Sequence, residues 1–549
     1  MKSYAKSLIG LSLALPLVGC EEQKEAEPQR PNIVMFLVDD MGWVDTQVAL
    51  GPERYPFNKR HYTPNMLRLA ERSAIMTSAY VSPVSTPTRT SLMTGTHSAH
   101  THITNWTARE FNSPSDASEQ LDKLKNDVLA PCDWNVNGMA PSEAVENTFY
   151  GKPYPEVLRE YGYYTIHVGK GHWGTYGNPA ANPHNMGFCV NIAGQVAGKP
   201  RSYYSEDYYG NQSDKWDEFA VQNMCEYYGT GIHLTLALTF EAMKSLEYPI
   251  QEGLPFYLNF AHYAVHTPIH RDMRYFEKYR DMGMDEGQAR FASMVQGVDD
   301  SLGRLMEYLE MKGVMDNTII IFLSDNGGNS ENLSKGGVRH TQNQPLREGK
   351  ASCYEAGVRV PMMVFWPGKI AGGTRLNTPV FAEDIYPTIL EMAGIRNYEL
   401  PHMTDGKSLV KLLTEGSKVV RKEMDEGRIT NLPQAFNFVI DEEISGLDPE
   451  RPVISHFPHQ WKPYPLNDID YMSAIRKGDW KLVYRHRTQE LELYNLREDI
   501  GERNNIADKH PAKVKELAKI ISHRFRQWRT PMPYIRKTGK KVPLPDEII

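Results

Sequence analysis

Residues 31–43 read PNIVMFLVDDMGW. Ile33 to Val38 is a short, unbroken apolar run that ends in two aspartates. A run without polar alternation is expected of a strand covered on both faces, as in parallel sheets flanked by helices. Asp39 and Asp40 then stand at its C-terminal end, where open α/β sheets bind their ligands. The pattern recurs three times. YYTIHVGKGHWG (163–174) ends in Lys170 and His172. PFYLNFAHYAVHTP (255–268) leads from Phe256–Ala261 into His262 and His266. NTIIIFLSDNGG (317–328) leads from Thr318–Leu323 into Asp325 and Asn326. Between the last two, Phe291, Met294, Val295, Val298, Leu302, Leu305 and Leu309 fall at helical spacing. Strands alternating with helices predict an α/β fold: a large mixed, mainly parallel sheet sandwiched by helices.

The texture changes after about residue 410. A hairpin is expected over Tyr471–Arg476 and Trp480–Arg485, turning at Lys477-Gly478-Asp479. LELYNL (491–496) adds a strand, and Val514, Leu517, Ala518, Ile521, Phe525 and Trp528 form one helical face. Residues 31–410 are therefore expected to be the main α/β domain, and 411–549 a smaller C-terminal α+β subdomain, an antiparallel sheet plus a helix.

Composition is that of an ordinary globular protein: of 549 residues, 40% are hydrophobic and 23% charged. The net charge of -7 gives no basic excess, which argues against nucleic-acid binding. Lys2 and Lys6 precede an apolar run, Leu8 to Val18, too short to span a bilayer but suited to a secretory signal peptide over 1–19. The run ends in LVGC, which resembles a bacterial lipobox and makes Cys20 the expected lipidation site; a plain signal peptide with a chance cysteine is the alternative. Residues 20–30 are polar, as a lipidated tether would be. The expected location is that of an exported, periplasmic or cell-surface lipoprotein of a Gram-negative bacterium, touching the membrane only through its anchor. Cys132, Cys189, Cys225 and Cys353 show no C-x-x-C spacing, so a zinc or redox cluster is not expected.

VSPVSTPTRTSLMTG (81–95) poses a chemical question. Serine is a weak nucleophile without a base, and this is not the G-x-S-x-G elbow of hydrolases. If 86–94 is helical, Ser85 lies at its positive end and Gly95 is a natural stop. Alone, Ser85 would be a cap or turn residue.

STPTR followed by TSLMTG resembles the signature of the sulfatases, in which Cys or Ser precedes x-Pro-x-Arg. LREGKASCYEAGVRVPMMVFWPG (346–368) resembles a second sulfatase block, and VDD, GKGHWG, HYAVHTP and SDNGG match the remaining blocks in order. The chain thus resembles the type I formylglycine-dependent sulfatases of the alkaline-phosphatase-like superfamily, of the serine type, and bacterial carbohydrate sulfatases among them. The resemblance implies that Ser85 is oxidised to formylglycine (3-oxoalanine), whose hydrate attacks sulfur and later releases sulfate. It implies one Ca²⁺ per subunit, bound by Asp39, Asp40, Asp325, Asn326 and the modified Ser85; oxygen ligands of this kind suit that ion. It implies that Arg89 steadies the nucleophile, Lys170 and Lys350 contact sulfate oxygens, His172 is the base that triggers release, and His266 is the general acid for the leaving alcohol. One departure is Gly171, which stands where the family usually has Trp; the Lys170–His172 spacing is intact. The serine form implies a serine-type sulfatase-maturing enzyme as partner and an anaerobic or facultative bacterium.

Segments 96–147 and 174–230 interrupt the core pattern and are expected to form the pocket rim. THITNWTARE and NIAGQVAGKPRSYY within them look like carbohydrate sulfatases. The expected substrate is a sulfated saccharide, galactose or N-acetylgalactosamine 4-O-sulfate, cleaved in an exo manner. Asn105 and Arg109, with His456 and His459 from SHFPHQW, are candidate sugar contacts, the last two on a second domain closing over the pocket. Asp299-Asp300 is assigned no metal role, and His100, His102 and His262 no role. Two other classes stay open: a phosphatase or phosphodiesterase of the same superfamily, which needs extra Asp/His ligands for two zinc ions, and a non-catalytic glycan-binding lipoprotein.

Overall fold

The computed structural model describes residues 30–113, 128–212, 217–331, 335–440, 448–461 and 469–549. The expected signal peptide, Cys20 and all but the last residue of the tether lie outside them. Among the described residues no helix is long and apolar enough to cross a membrane. Cys132, Cys189, Cys225 and Cys353 are free thiols.

The main sheet has ten strands. They are β1 (Asn32–Val38), β2 (Ala74–Tyr80), β3 (Tyr164–Gly169), β4 (Val190–Ile192), β5 (Phe256–Ala261), β6 (Thr318–Ser324), β7 (Arg359–Phe365), β8 (Thr374–Leu376), β9 (Val380–Phe381) and β10 (Val439–Ile440). Their order is β10-β8-β2-β7-β6-β1-β5-β3-β4, with β9 beside β2. Only β7 runs against the rest, antiparallel to both β2 and β6. β1 is central and parallel to both neighbours, pairing Ile33 with Tyr257 on one side and Ile319 on the other.

Both faces of the sheet are buried, which explains the unbroken apolar runs. Ile33, Met35 and Leu37 point into one core, with Leu92 and Met93 of α1 (Ser85–Thr94). Val34, Phe36 and Val38 point into the other, with Leu234 and Leu238 of α2 (Leu234–Ser245) and Met294, Val298 and Leu302 of α3 (Glu286–Met311). Asp299 on α3 supports the fold rather than a metal. Its carboxylate accepts the amides of Met66 at 2.8 Å and Asn65 at 3.2 Å, at the start of the helix Pro64–Ala70.

The expected domain boundary falls inside the packing of the first unit. Helix α4 (Val410–Asp425) buries Leu412, Leu413 and Val420 in the core shared with α1, and β10 pairs in parallel with β8. Helix α4 and β10, which extend past residue 410, thus pack with the first unit. The second unit is an antiparallel sheet in chain order: β11 (Val453–Phe457), β12 (Met472–Lys477), β13 (Trp480–Arg485) and β14 (Glu490–Asn495). The hairpin is one residue further on than expected. Lys477 pairs with Trp480, so only Gly478-Asp479 turns, with Gly478 at φ 58°. One face of this sheet packs Ile475, Leu482 and Leu493 on Leu517, Ile521 and Phe525 of α5 (Pro511–Trp528). The other face packs Met472, Ala474, Val483 and Tyr494 against Val84, Ala351, Cys353 and Tyr354 of the first unit.

A buried ionic cluster ties the two units together. Lys481 of β13 lies 2.9 Å from Glu355 and 2.8 Å from Glu502, and Glu355 also accepts from Arg359 at 3.1 Å and from the Tyr80 hydroxyl at 2.8 Å. Removing one member leaves the others charged and dehydrated. Glu355→Gln should destabilise the protein by about 3–5 kcal/mol, whereas Lys418→Gln, from the exposed pair with Glu415, should cost less than about 1 kcal/mol. Chemical denaturation followed by fluorescence checks both.

Candidate active site

Every segment that the sheet delivers to its C-terminal edge carries polar residues, and the backbone ladder continues past the strands to hold them. The Asp39 amide donates to the Ala264 carbonyl at 3.0 Å, and the Val265 amide to the Asp39 carbonyl at 2.7 Å. The Asp325 amide donates to Val38 at 3.0 Å, and the Lys170 amide to Ala261 at 2.8 Å. Because β7 runs in reverse, its N-terminal end lies at this edge. The segment leading into it brings Lys350, whose amide donates to Gly328 at 3.1 Å. Gly327 permits this approach: a Cβ there would sit 1.8 Å from the Ala356 carbonyl oxygen. Ser85 opens α1, which ends at Gly95 in the left-handed conformation, as expected.

These residues meet around the Ser85 hydroxyl. It donates to Asn326 Oδ1 at 3.1 Å, lies 3.4 Å from Asp39 Oδ1, and accepts from Lys170 Nζ at 3.1 Å. Lys170 also bonds Asp39 Oδ2 at 2.7 Å. Lys350 bonds Asp40 Oδ1 at 2.5 Å, and Asn326 Nδ2 donates to the same oxygen at 2.8 Å. Arg89 holds Asp325 through Nε at 2.8 Å and gives Nη1 to the Lys170 carbonyl at 2.9 Å. Asp39, Asp40, Asp325, Asn326, Lys170, Ser85 and Arg89 are all buried.

Burial and the neighbouring Asp325 push Asp39 up to about 8. Burial acts on Asp40 in the same direction, but Lys350 and His266 outweigh it and hold Asp40 below the usual carboxylate range. Burial lowers Lys170 below the ordinary lysine value. Burial raises Asp325 too, but Arg89 and Lys170 outweigh it and hold it below the usual range. The oxygens of the cluster are hard donors: three carboxylates, one amide carbonyl and the position-85 hydroxyl. This set fits a cation such as Ca²⁺. Among the described residues, Asp39, Asp40 and His266 form the one group of three carboxylate or imidazole side chains close enough to hold a metal.

The two histidines lie on opposite flanks. His266 Nδ1 is 3.0 Å from the Thr267 carbonyl, so it carries the proton and Nε2 faces the cluster, 3.8 Å from Asp40 Oδ2. Its side chain is 17% exposed, against 6% or less for Lys170, Lys350 and Arg89, so it borders the opening. Burial lowers His266 to about 3 and His172 well below the ordinary value. His172 does not hydrogen-bond Ser85. Its Nε2 is 3.2 Å from the Thr86 hydroxyl and 3.2 Å from the Thr107 carbonyl.

The candidate sugar contacts separate into two pairs. Asn105 is buried and accepts the Trp106 amide at 2.9 Å, beside an exposed Trp106 ring. Arg109 pairs with Glu218 and lies 4.1 Å over the Phe219 ring. Both belong to the segment that touches His172. The second pair does not reach the opening. His456 is fully engaged, with Nδ1 2.7 Å from the Ser473 hydroxyl and Nε2 2.8 Å from the Pro531 carbonyl. His459 is buried 2.7 Å from the Thr104 hydroxyl and edge-on to Trp134. His456 thus packs inside the second unit, while His459 joins that unit to the rim. His262, left without a role, is buried 3.1 Å from Ser301.

Three residues with a part in the site lie in quoted stretches but were not singled out there. Thr86 and Thr107 orient His172. The Tyr203 hydroxyl donates to the carbonyls of Tyr263 at 2.7 Å and His266 at 2.9 Å, fixing the loop that carries the histidine. A single hydroxyl reaching a distant carbonyl has no spacing that a sequence displays.

A family model described as sulfatase matches residues 31–395. A sulfatase of Formosa agariphila is 26% identical, over 99% of this chain and 98% of its own. The N-acetylgalactosamine-6-sulfatase of Homo sapiens is 27% identical, over 71% of this chain and 67% of its own. The crystal structure of Ps i-CgsB in complex with k-i-k-neocarrahexaose is 27% identical, with a TM-score of 0.64, covering 90% of this chain and 92% of that one. The family match runs from β1 through α1 to the strands beyond β7, over all the residues gathered around Ser85, and the chain therefore belongs to the sulfatase family and is a sulfuric ester hydrolase.

Proposed function

We propose that this sulfatase removes sulfate from glycans in an exo manner, with Ser85 matured to formylglycine and one Ca²⁺ held by Asp39, Asp40, Asp325 and Asn326. The observation that carries this reading is the position of the Ser85 hydroxyl, within hydrogen-bond reach of Asn326 Oδ1 and Lys170 Nζ at the mouth of the carboxylate cluster. When present, the hydrated aldehyde supplies the nucleophilic oxygen and the cation supplies hard positive charge for it and for the sulfate. The remaining work belongs to the side chains. Lys170 and Lys350 neutralise sulfate oxygens, and their burial makes that attraction stronger than in water. Arg89 fixes Asp325 and the Lys170 backbone, so that the donors do not reorganise when charge builds up.

Burial disfavours the imidazolium form of His266 in the free enzyme. An anionic sulfate ester beside it favours the imidazolium, so the protonated ring is present when the alcohol needs a proton. His172, pressed against Thr86, is the base that takes a proton at position 85 when sulfate leaves. A two-zinc phosphatase would require a second Asp/His group, and the described residues show one. The relatives named for N-acetylgalactosamine support the sugar class; galactose or N-acetylgalactosamine 4-O-sulfate is the proposed substrate. The lipobox supports an exported lipoprotein, and the serine at 85 supports a serine-type maturase as partner.

Ser85→Ala should abolish turnover of an aryl sulfate by more than about 10³-fold, and in active wild-type protein the Ser85 peptide should be lighter by two hydrogens in intact mass. His266→Ala should lose about 10²–10⁴-fold on a sugar sulfate and far less on an aryl sulfate, whose leaving group needs no proton; equal losses would remove the general-acid role. Chelation by EGTA should lower both activity and Tm, and Ca²⁺ at about 100 times its Kd should restore about 2.7 kcal/mol of stability.

A further inference from the structure

Beside His172 three cations surround one aromatic ring. Arg109 lies 4.1 Å, Lys199 5.0 Å and Arg201 5.0 Å from the centre of Phe219. Three like charges in that space repel one another, and two of them are neutralised. Arg109 pairs with Glu218, and Arg201 makes a two-point contact with Asp217 at 2.6 and 3.1 Å. Lys199 has no carboxylate partner among the described residues and is half-buried against the ring. Burial, then Arg201, Arg109 and Lys350, hold its ammonium below the ordinary lysine value.

The position of Lys199 relative to the chemistry is set on two sides. Gly198, just before it, passes so close to His172 that a Cβ would meet the ring Cε1 at 2.5 Å. On the other side, Arg109 follows Thr107, whose carbonyl lies 3.2 Å from His172 Nε2. The cations therefore flank the catalytic cleft rather than a remote surface. A single uncompensated ammonium there, on an aromatic support and between two arginines that are already paired, attracts an anion that arrives with the substrate.

We propose that Lys199, seated on Phe219, binds a second acidic group of the saccharide, a sulfate or a carboxylate, so that the enzyme's substrates are glycans carrying more than the one sulfate it removes. This rests on the sulfatase reading of the Ser85 cleft. Arg109, read from the sequence as a sugar contact, instead serves here as a neutralised flank.

The test uses matured wild-type enzyme, Lys199→Ala and Lys199→Arg with four probes: an aryl sulfate, a monosulfated disaccharide, its disulfated form, and its form with one sulfate and one uronate. In Lys199→Ala, kcat/KM on the two doubly charged disaccharides should fall about tenfold more than on the monosulfated one, through KM, with Lys199→Arg close to wild type. The extra affinity should weaken as salt rises. The two doubly charged probes distinguish sulfate from carboxylate. Equal losses on all probes, or no loss on any, would overturn the subsite. Calorimetric binding of the disulfated disaccharide to Ser85→Ala, with and without Lys199→Ala, reads the same contact without turnover; equal affinities there also overturn it. Wild-type enzyme with formylglycine at 85 and no activity on any of the four esters would instead strike the sulfatase reading, leaving the binding comparison to judge Lys199.

Discussion

Asp39, Asp40 and Asp325 are dehydrated together at one sheet edge, and the rest of the site is the answer to that constraint. Each buried carboxylate costs on the order of several kcal/mol unless it is paired and hydrogen-bonded. Arg89 answers Asp325, Lys170 answers Asp39, and Lys350 answers Asp40. The three cations come from α1, from the end of β3 and from the segment before β7, so three separate parts of the chain must be correctly placed before the anions can be buried. Fold and site are in this sense one electrostatic problem. Asp39 is raised by burial and by the neighbouring Asp325, and a cation bound among these carboxylates would lower it again.

The same logic extends outward with decreasing stringency. At Glu355 the buried charges are balanced by Lys481 and Arg359, and the balance holds the two units together. At Phe219 the balance among the described residues stops one charge short, beside His172. A cation left over in the interior would be a defect, but at the rim of a site for anions it is a means of selection.

Much of this was legible in the residues. The apolar runs ending in Asp39, Lys170, His262 and Asp325 identified the strands, because a strand covered on both faces has no polar positions to blur the pattern. The edge residues followed, since the ends of parallel strands share one side of the sheet. The reversal of β7 was not legible. Its hydrophobic run is the same in either direction, and only the motif block, not the periodicity, tied Lys350 to the site. The packing of the segment after 410 was not legible for a related reason. Leu412, Leu413 and Val420 mark one face of an amphipathic helix but say nothing about which core that face covers. His456 and His459 lie in a run rich in polar and aromatic residues, which suits a sugar site and a packed core equally; His456 is buried inside the second unit and His459 against Thr104.

That burial changes the meaning of the second unit. A domain that closes over a pocket must present polar side chains to it and detach at modest cost. The sheet of β11–β14 does neither. One face is spent on Val84, the residue before Ser85, and on Ala351, Cys353 and Tyr354, which follow Lys350. Its histidine at 459 grips Thr104, on the segment that also reaches His172 through Thr107. Three segments that meet around Ser85 are therefore backed by one antiparallel sheet, and the sheet in turn is held by Lys481 at Glu355. Such an arrangement keeps Ser85, Lys350 and His172 in fixed relation while the rim is left to differ. Catalytic groups must be held to fractions of an ångström, whereas a rim that selects among glycans by charge needs only the right sign in the right place.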